Sequence, residues 1–137
     1  MYMLDTNICI YVISRNHHNK RATEKVAEHI GNDLCISSVT LSELEYGISK
    51  SSAPEKNRKA LYQFLSSIPV LDYDSEAAKE YGDIRATLER SGTVIGSLDM
   101  MIAAHARSRG YTIVTNNTRE FDRVPYLRVE NWAEKII

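Results

Sequence analysis

Short apolar runs alternate with longer stretches of helical periodicity along almost the whole chain, and this alternation restricts the fold more than any other feature. The runs predict strands at residues 1–4, 34–37, 69–71 and 111–114, with a fifth near the sheet edge at 127–129. The stretches between them repeat apolar residues every three or four positions and predict helices. These lie at 8–13, 20–30, 38–48, from 54 onward, 75–90 and 97–109. The alternation is typical of βα units, so we expect an α/β fold with a mostly parallel sheet of about four or five strands flanked by helices.

Local signals at the helix ends support this division. Asp74 is placed to cap the helix that follows it, and Ser97 is expected to cap the next one. Gly110 is expected to end that second helix, because glycine adopts the left-handed conformation found after helix C-termini. No linker, repeat or low-complexity tract interrupts the chain, so we expect one domain over residues 1–137.

Composition limits where the protein works and what it can bind. The formal charge of −1 provides no overall positive field, so any binding of nucleic acid depends on local basic groups. Cys9 and Cys35 lie in apolar runs, which favours buried free thiols in a reducing compartment over a disulfide. No apolar stretch approaches the length of a membrane span. We therefore expect a cytoplasmic protein that does not associate with membranes.

Acidic and polar side chains fall where a parallel sheet would gather them. Asp5 directly follows the first strand, and Thr115 follows the strand at 111–114, with Glu120 one helical turn further on. Asp99 lies in the first turn of its helix and Glu43 in a helix that looks half buried. Ligands of open parallel sheets bind at the carboxyl ends of the strands. Each acid alone would also suit a turn, a helix cap or a solvated face, but together they predict a site.

Crowded carboxylates need a cation, because they repel one another and raise one another's pKa values. An all-oxygen set of this kind suits Mg²⁺, with Mn²⁺ as a substitute, better than the softer sites that zinc prefers. The four histidines lie away from the strand ends and no Cys/His spacing resembles a zinc site. They are His17, His18, His29 and His105.

Four segments, in order, resemble the motifs of PIN-domain ribonucleases. They are MLDTN at residues 3–7, SELEYG at 42–47, DMMIAA at 99–104 and VTNN with REF at 114–121. Within that family the chain is most similar to the VapC toxins of toxin–antitoxin pairs, in particular those that cut initiator tRNA. The segments CISS at 35–38 and TNNTREF at 115–121 carry this narrower resemblance.

The resemblance implies roles for individual residues. Asp5 and Asp99 would be metal ligands, and Glu43 would complete the acidic cluster. Many PIN domains have an aspartate after the threonine of the last motif, where this chain has Asn116 and Asn117. This departure makes Glu120 the expected replacement acid, ahead of Asp122, so the proposed catalytic set is Asp5, Glu43, Asp99 and Glu120.

Neighbouring polar residues are expected to support these acids and the substrate. Thr6, Asn7 and Thr115 could hold the metal ligands in place, with Asn117 as an orienting amide. Many basic residues could grip an RNA backbone, and Arg119 is the first choice because it adjoins the site.

The expected activity is hydrolysis of RNA phosphodiesters by a metal-activated water, with tRNA as the substrate class. The resemblance also implies a homodimer, a cognate VapB-like antitoxin, and operator DNA bound through that antitoxin. Two alternatives stay open. One is a PIN-like interaction or regulatory module with weak catalysis, which the missing fourth aspartate would favour. The other is a phosphotransfer receiver or phosphatase, which also places an early aspartate after a strand, although Asn7 replaces the second acid of the phosphatase motif.

Overall fold

The computed structural model describes residues 1–14 and 19–133. In these residues the strands are β1 (Tyr2–Leu4), β2 (Leu34–Ser37), β3 (Val70–Leu71), β4 (Thr112–Val114) and β5 (Arg128–Glu130). The helices are α1 (Thr6–Ser14), α2 (Lys20–His29), α3 (Ser38–Ser49), α4 (Pro54–Leu65), α5 (Ser75–Arg90), α6 (Ser97–Arg109) and α7 (Thr118–Phe121). His17 and His18, which the sequence placed away from the strand ends, lie outside the described residues.

The five strands form one sheet in the order β3-β2-β1-β4-β5, and every pairing is parallel. The expectation of an α/β fold with a parallel sheet is therefore confirmed. This order differs from the 2-1-3-4-5 order of phosphotransfer receivers, which argues against that alternative. The chain leaves β1 toward β2 on one side and returns to β4 on the other, so β1 and β4 flank the topological switch point at which open α/β sheets bind ligands.

Helices cover both faces of the sheet, and alternate strand residues point into two cores. Met3 packs with residues of α5 and α6, whereas its neighbour Leu4 packs with residues of α1, α2, α3 and α4. Ile113 and Val114 divide between the two cores in the same way. Because both faces are buried, the central strands are apolar throughout, which is why their sequences lack a polar alternation.

Most predicted helix ends are confirmed, with three differences. The Asp74 side chain accepts a hydrogen bond from the Ala77 N–H at 3.0 Å, and Gly110 adopts a left-handed conformation with φ of 69°. The prediction that Ser97 caps α6 is wrong, because Gly96 holds the cap position and Ser97 is the first helical residue. Helix α1 begins two residues earlier than expected, and α7 was not predicted.

Candidate acidic site

Asp5 lies at the carboxyl end of β1, where its side chain is almost fully buried. Its Oδ1 accepts the Ile8 N–H at 3.0 Å, and its Oδ2 accepts the Thr115 hydroxyl at 2.5 Å. Thr115 reaches it because β1 and β4 are paired neighbours. Burial raises the pKa of Asp5 to about 6, with a smaller contribution from the Glu43 charge, and the hydrogen bonds from Thr115 and Ile8 only partly oppose this rise.

Glu43 projects from α3, one turn beyond the start of that helix. Its Oε1 accepts the Thr6 hydroxyl at 2.6 Å, across 37 positions of sequence. Thr6 is the first residue of α1, directly after Asp5, so one acid of the site is followed in sequence by the residue that contacts a second one. We expected Thr6 to hold a metal ligand, and the residue that it contacts is Glu43.

Asp99 and Glu120 complete the cluster from α6 and α7. Their carboxyl groups lie within hydrogen-bonding reach of each other. The pKa of Asp99 is raised to about 7, first by burial and then, in decreasing order, by the hydrogen bond with Glu120 and by the charges of Glu120, Asp5 and Glu43. The charges of all three other acids therefore act on Asp99, which places the four predicted acids in one site.

The predicted supporting residues divide into two groups. Thr115 contacts Asp5 directly and also accepts the Asn117 backbone N–H at 2.9 Å. The Asn117 and Asn7 side chains make no hydrogen bond within residues 1–14 and 19–133. Arg119 is exposed on α7, and no ion pair engages it within the same described ranges. The roles given to these residues, and to the four acids, stay predictions.

Two features of the site could not be found from sequence patterns. The Asn116 side chain donates to the Tyr11 hydroxyl at 2.6 Å and so links the turn after β4 to α1. Arg107, a basic residue between the third and fourth acidic motifs, is paired with Glu80 and Asp83 of α5 and donates to the Pro125 carbonyl. The sequence alone does not show whether a basic side chain near the acidic motifs is held in ion pairs within the protein or is available to bind RNA.

The donor set fits a hard divalent cation. Two of the four carboxyls have raised pKa values and act on each other electrostatically, and a bound cation would relieve this repulsion. Within the described residues, no three acidic, histidine or cysteine side chains already converge on a single ion position. Magnesium commonly uses only one or two carboxylates and keeps its waters, so Asp5 and Asp99 are sufficient candidates.

Two grooves open on the helical side that carries α1 and α4. One, of about 610 Å³, lies between α1, α2 and α4, and none of the four acids lines it. The other, of about 490 Å³, lies between α1, α3 and α4 and includes Glu43 in its wall. Only the second groove is continuous with the acidic site.

The fold and the site together define a class of protein. It is a single-sheet α/β domain with an all-oxygen acidic cluster at the switch point of a parallel sheet. None of the helices in the part of the chain that the structure describes combines the length and apolar character needed to cross a membrane.

Comparison with known proteins narrows this class. The PIN domain family model matches residues 2–127. A tRNA(fMet)-specific endonuclease VapC of Shigella flexneri is 53% identical over 133 residues, which cover 96% of this chain and 98% of that protein. The ribonuclease VapC2 of Haemophilus influenzae strain Rd is 48% identical, with coverage of 96% and 98%.

Solved structures agree with the sequence relatives. The DNA-bound VapBC complex of Salmonella typhimurium superposes with a TM-score of 0.89 at 48% identity, covering 96% of this chain and 98% of that one. VapBC2 of Rickettsia felis, bound to a promoter fragment, gives 0.88 at 42% identity with the same coverage. The chain belongs to the PIN domain family, and the resemblance identified from its four motifs is confirmed.

Proposed function

We propose that this protein is a divalent-metal-dependent endoribonuclease that acts as the toxin of a toxin–antitoxin pair. The observation that carries the proposal is the convergence of Asp5, Glu43, Asp99 and Glu120 on one site, with raised pKa values for Asp5 and Asp99. The VapC relatives are named as ribonucleases or tRNA(fMet)-specific endonucleases, which supports tRNA, including initiator tRNA, as the substrate class.

Asp5 and Asp99 would hold the metal, which we propose to be Mg²⁺ with Mn²⁺ as a substitute. When bound, the ion lowers the pKa of water and offsets charge on the phosphate oxygens. Thr115 fixes the orientation of the Asp5 carboxyl, and Thr6 fixes that of Glu43. Glu43 would accept a proton from the attacking water, and Glu120 would complete the negative charge that binds the cation.

Partners follow from the two solved relatives described above, which are VapBC complexes bound to DNA. We propose that this chain binds a VapB-like antitoxin, that the pair contacts operator DNA through the antitoxin, and that the toxin forms a homodimer. Light scattering of the isolated toxin, with and without its antitoxin, measures both assemblies. A monomer at micromolar concentration would contradict the dimer.

The activity is tested by incubating the purified protein with total tRNA in EDTA and then adding Mg²⁺. We expect cleavage only after the addition, and loss of cleavage and of growth arrest in Asp5→Asn and in Asp99→Asn. Circular dichroism confirms that these variants fold. If the wild-type protein leaves RNA intact with every divalent metal supplied, the alternative of a PIN-like interaction module is favoured instead.

A further inference from the structure

The groove between α3 and α4 starts at the acidic site. Glu43 and Gly47, one helical turn apart, line its α3 side, Lys56 and Asn57 line its α4 side, and the end of α1 completes the wall. An occupant of this groove would therefore touch the side chain that we propose as the proton acceptor. The groove is thus placed to hold a part of the substrate next to the cut.

The charges around this groove favour an anion. The nearest acid to Lys50, Lys56 or Lys59 lies beyond ion-pairing distance in residues 1–14 and 19–133, whereas Arg58 pairs with Glu45 at 3.5 Å. Lys56 lines the groove, Lys59 follows it on α4 and Lys50 directly follows α3, so three lysines in and near these helices have no ion-pair partner in the described chain. In a protein with a net charge of −1, this is a local positive surface beside an acidic site.

Aromatic and apolar groups accompany the lysines. Tyr46 is 66% exposed, and the Lys50 ammonium lies 4.7 Å from the centre of its ring. Leu44 and Leu61 form part of the groove wall. Exposed aromatics beside cations are the means by which proteins bind single-stranded nucleic acid, because bases stack while cations hold the phosphates.

Gly47 keeps the groove open. A Cβ built at this position meets no other atom within 4 Å, so a side chain there would project into free space without disturbing the core. Glycine in the middle of a helix costs stability relative to other residues, yet α3 has one at the groove wall. A groove of about 490 Å³ with this opening has room for a nucleobase.

We propose that the α3–α4 groove binds single-stranded RNA, taking a nucleotide adjacent to the scissile phosphate. Lys56 contacts a phosphate, and Tyr46 with Lys50 supports the neighbouring base. This inference rests on the proposed ribonuclease function and adds to it the surface that holds the substrate. It also assigns the α3–α4 pair a role in choosing unpaired regions of the RNA, whose bases are free to stack.

The test uses two variants with matched controls on α5. Gly47→Met fills the groove and Lys56→Gln removes a cation, while Gly82→Met and Lys79→Gln make the same changes at exposed positions of α5. Methionine is a better helix former than glycine, so Gly47→Met should fold, and thermal melts check this. Binding of a fluorescent unstructured RNA oligonucleotide is measured by anisotropy in EDTA, which separates binding from catalysis.

We expect Gly47→Met to weaken RNA binding by about tenfold, the effect of losing roughly one stacked base, while Gly82→Met has no effect. Lys56→Gln should reduce the slope of log affinity against log salt by about 0.7, the value for one phosphate contact on a single strand. Lys79→Gln should leave the slope unchanged. Cleavage of the same RNA in Mg²⁺ should show the loss mainly in KM.

Three outcomes overturn the inference. The first is that the groove variants bind RNA as tightly as the α5 controls do, although the wild-type protein cleaves RNA. The second is loss of antitoxin binding in Gly47→Met with RNA binding intact, which would assign the groove to a protein partner. The third is an unchanged salt slope in Lys56→Gln. Failure of the wild type to cleave any RNA would instead contradict the proposed function, and the binding measurement would still test the groove.

Discussion

The Asp99 carboxyl is partly buried and lies near the charges of three other acids, so its ionisation opposes folding of the metal-free protein. Its pKa in the folded state is about 7, above the ordinary value of 3.8. A raised pKa means that the folded state binds the proton more tightly than the unfolded state does. The resulting stabilisation is complete below about pH 4 and is lost as the pH rises through 7.

We therefore predict that Asp99→Asn stabilises the protein in EDTA at pH 8 and has little effect at pH 4. Because Asp99 is partly open to solvent, screening reduces the effect. The midpoint of thermal unfolding should rise by roughly 4 °C, the change that about 1 kcal/mol produces in a domain of this size. Asp122→Asn, at an exposed position after α7, is the matched control and should not shift the midpoint. A lower midpoint for Asp99→Asn at pH 8 would contradict the electrostatic account.

Glu120 is the residue that we expect to replace the aspartate found after the threonine of the last motif in many PIN domains. It reaches Asp99, whereas Asp122 lies at the exposed C-terminal end of α7. We predict that Glu120→Gln lowers the cleavage rate and raises the Mg²⁺ concentration needed for half-maximal rate by about 10–100-fold, the usual effect of disturbing groups around a metal site. Asp122→Asn should change neither. Equal, small effects of both substitutions in a Mg²⁺ titration would mean that three acids are sufficient.

The helices that carry Glu43 and Asp99 are joined at a buried polar contact. Ser37 caps α3 by accepting the Val39 N–H at 3.1 Å, and its hydroxyl lies 2.7 Å from His105 Nδ1 on α6. His105 is fully buried, and burial together with the Arg109 charge lowers its pKa, so the imidazole is neutral. The contact ties α3 to α6 across 68 positions of sequence.

Ser37→Ala should lower the free energy of unfolding at pH 8 by about 1–3 kcal/mol, because it removes the helix cap and leaves the buried imidazole without its partner. Ser42→Ala, at an exposed position of the same helix, should stay within about 0.5 kcal/mol of the wild type. Urea unfolding measures both. His105 itself should contribute a loss of stability below about pH 6.5, where the unfolded histidine takes up a proton that the folded one resists, and this opposes the gain from Asp5 and Asp99 over the same pH range. Equal stabilities of Ser37→Ala and the wild type would argue against the buried Ser37–His105 contact.

At the scale of elements, the sequence predicts what depends on local pattern. Strands β1, β2 and β4 are predicted by their short continuous apolar runs. Helix α5 is predicted by its apolar stripe, because a helix that is buried on one face repeats apolar residues every three or four positions. Helix α7 was missed because four polar-rich residues show no period. Ser97 was taken for a cap because serine favours that position, yet the chain turns into α6 at Gly96.

For the site, the sequence predicts which acids are grouped but not which residues they contact. The four acids could be placed at one sheet edge because parallel strands end there together. Their contacts could not be predicted, since Thr6 to Glu43 and Thr115 to Asp5 join residues 37 and 110 positions apart. Such pairs depend on helix packing and strand order, which a single sequence does not encode as a periodic pattern.

The mechanism proposed for the whole molecule determines which chemical groups are left at the ends of the cleaved RNA. Ribonucleases that work with histidines use the ribose 2′-hydroxyl as the nucleophile and leave a 2′,3′-cyclic phosphate. In the described part of this chain, His105 is buried against Ser37 and His29 stacks on Trp132, so neither is available to the acidic site. The acids instead suit attack by water, which needs no 2′-hydroxyl.

We predict that cleavage leaves a 5′-phosphate and a 3′-hydroxyl, stops in EDTA, and returns with Mg²⁺ or Mn²⁺. End-group analysis by mass spectrometry is the direct measurement, because a 2′-O-methyl substrate can fail through blocked binding alone. The Asp5→Asn protein, purified in parallel, controls for contaminating nuclease, since it retains every histidine and should produce no ends of either kind. A 2′,3′-cyclic phosphate in the wild-type reaction, absent from that control, would overturn the water-attack mechanism while leaving the assignment of the fold intact.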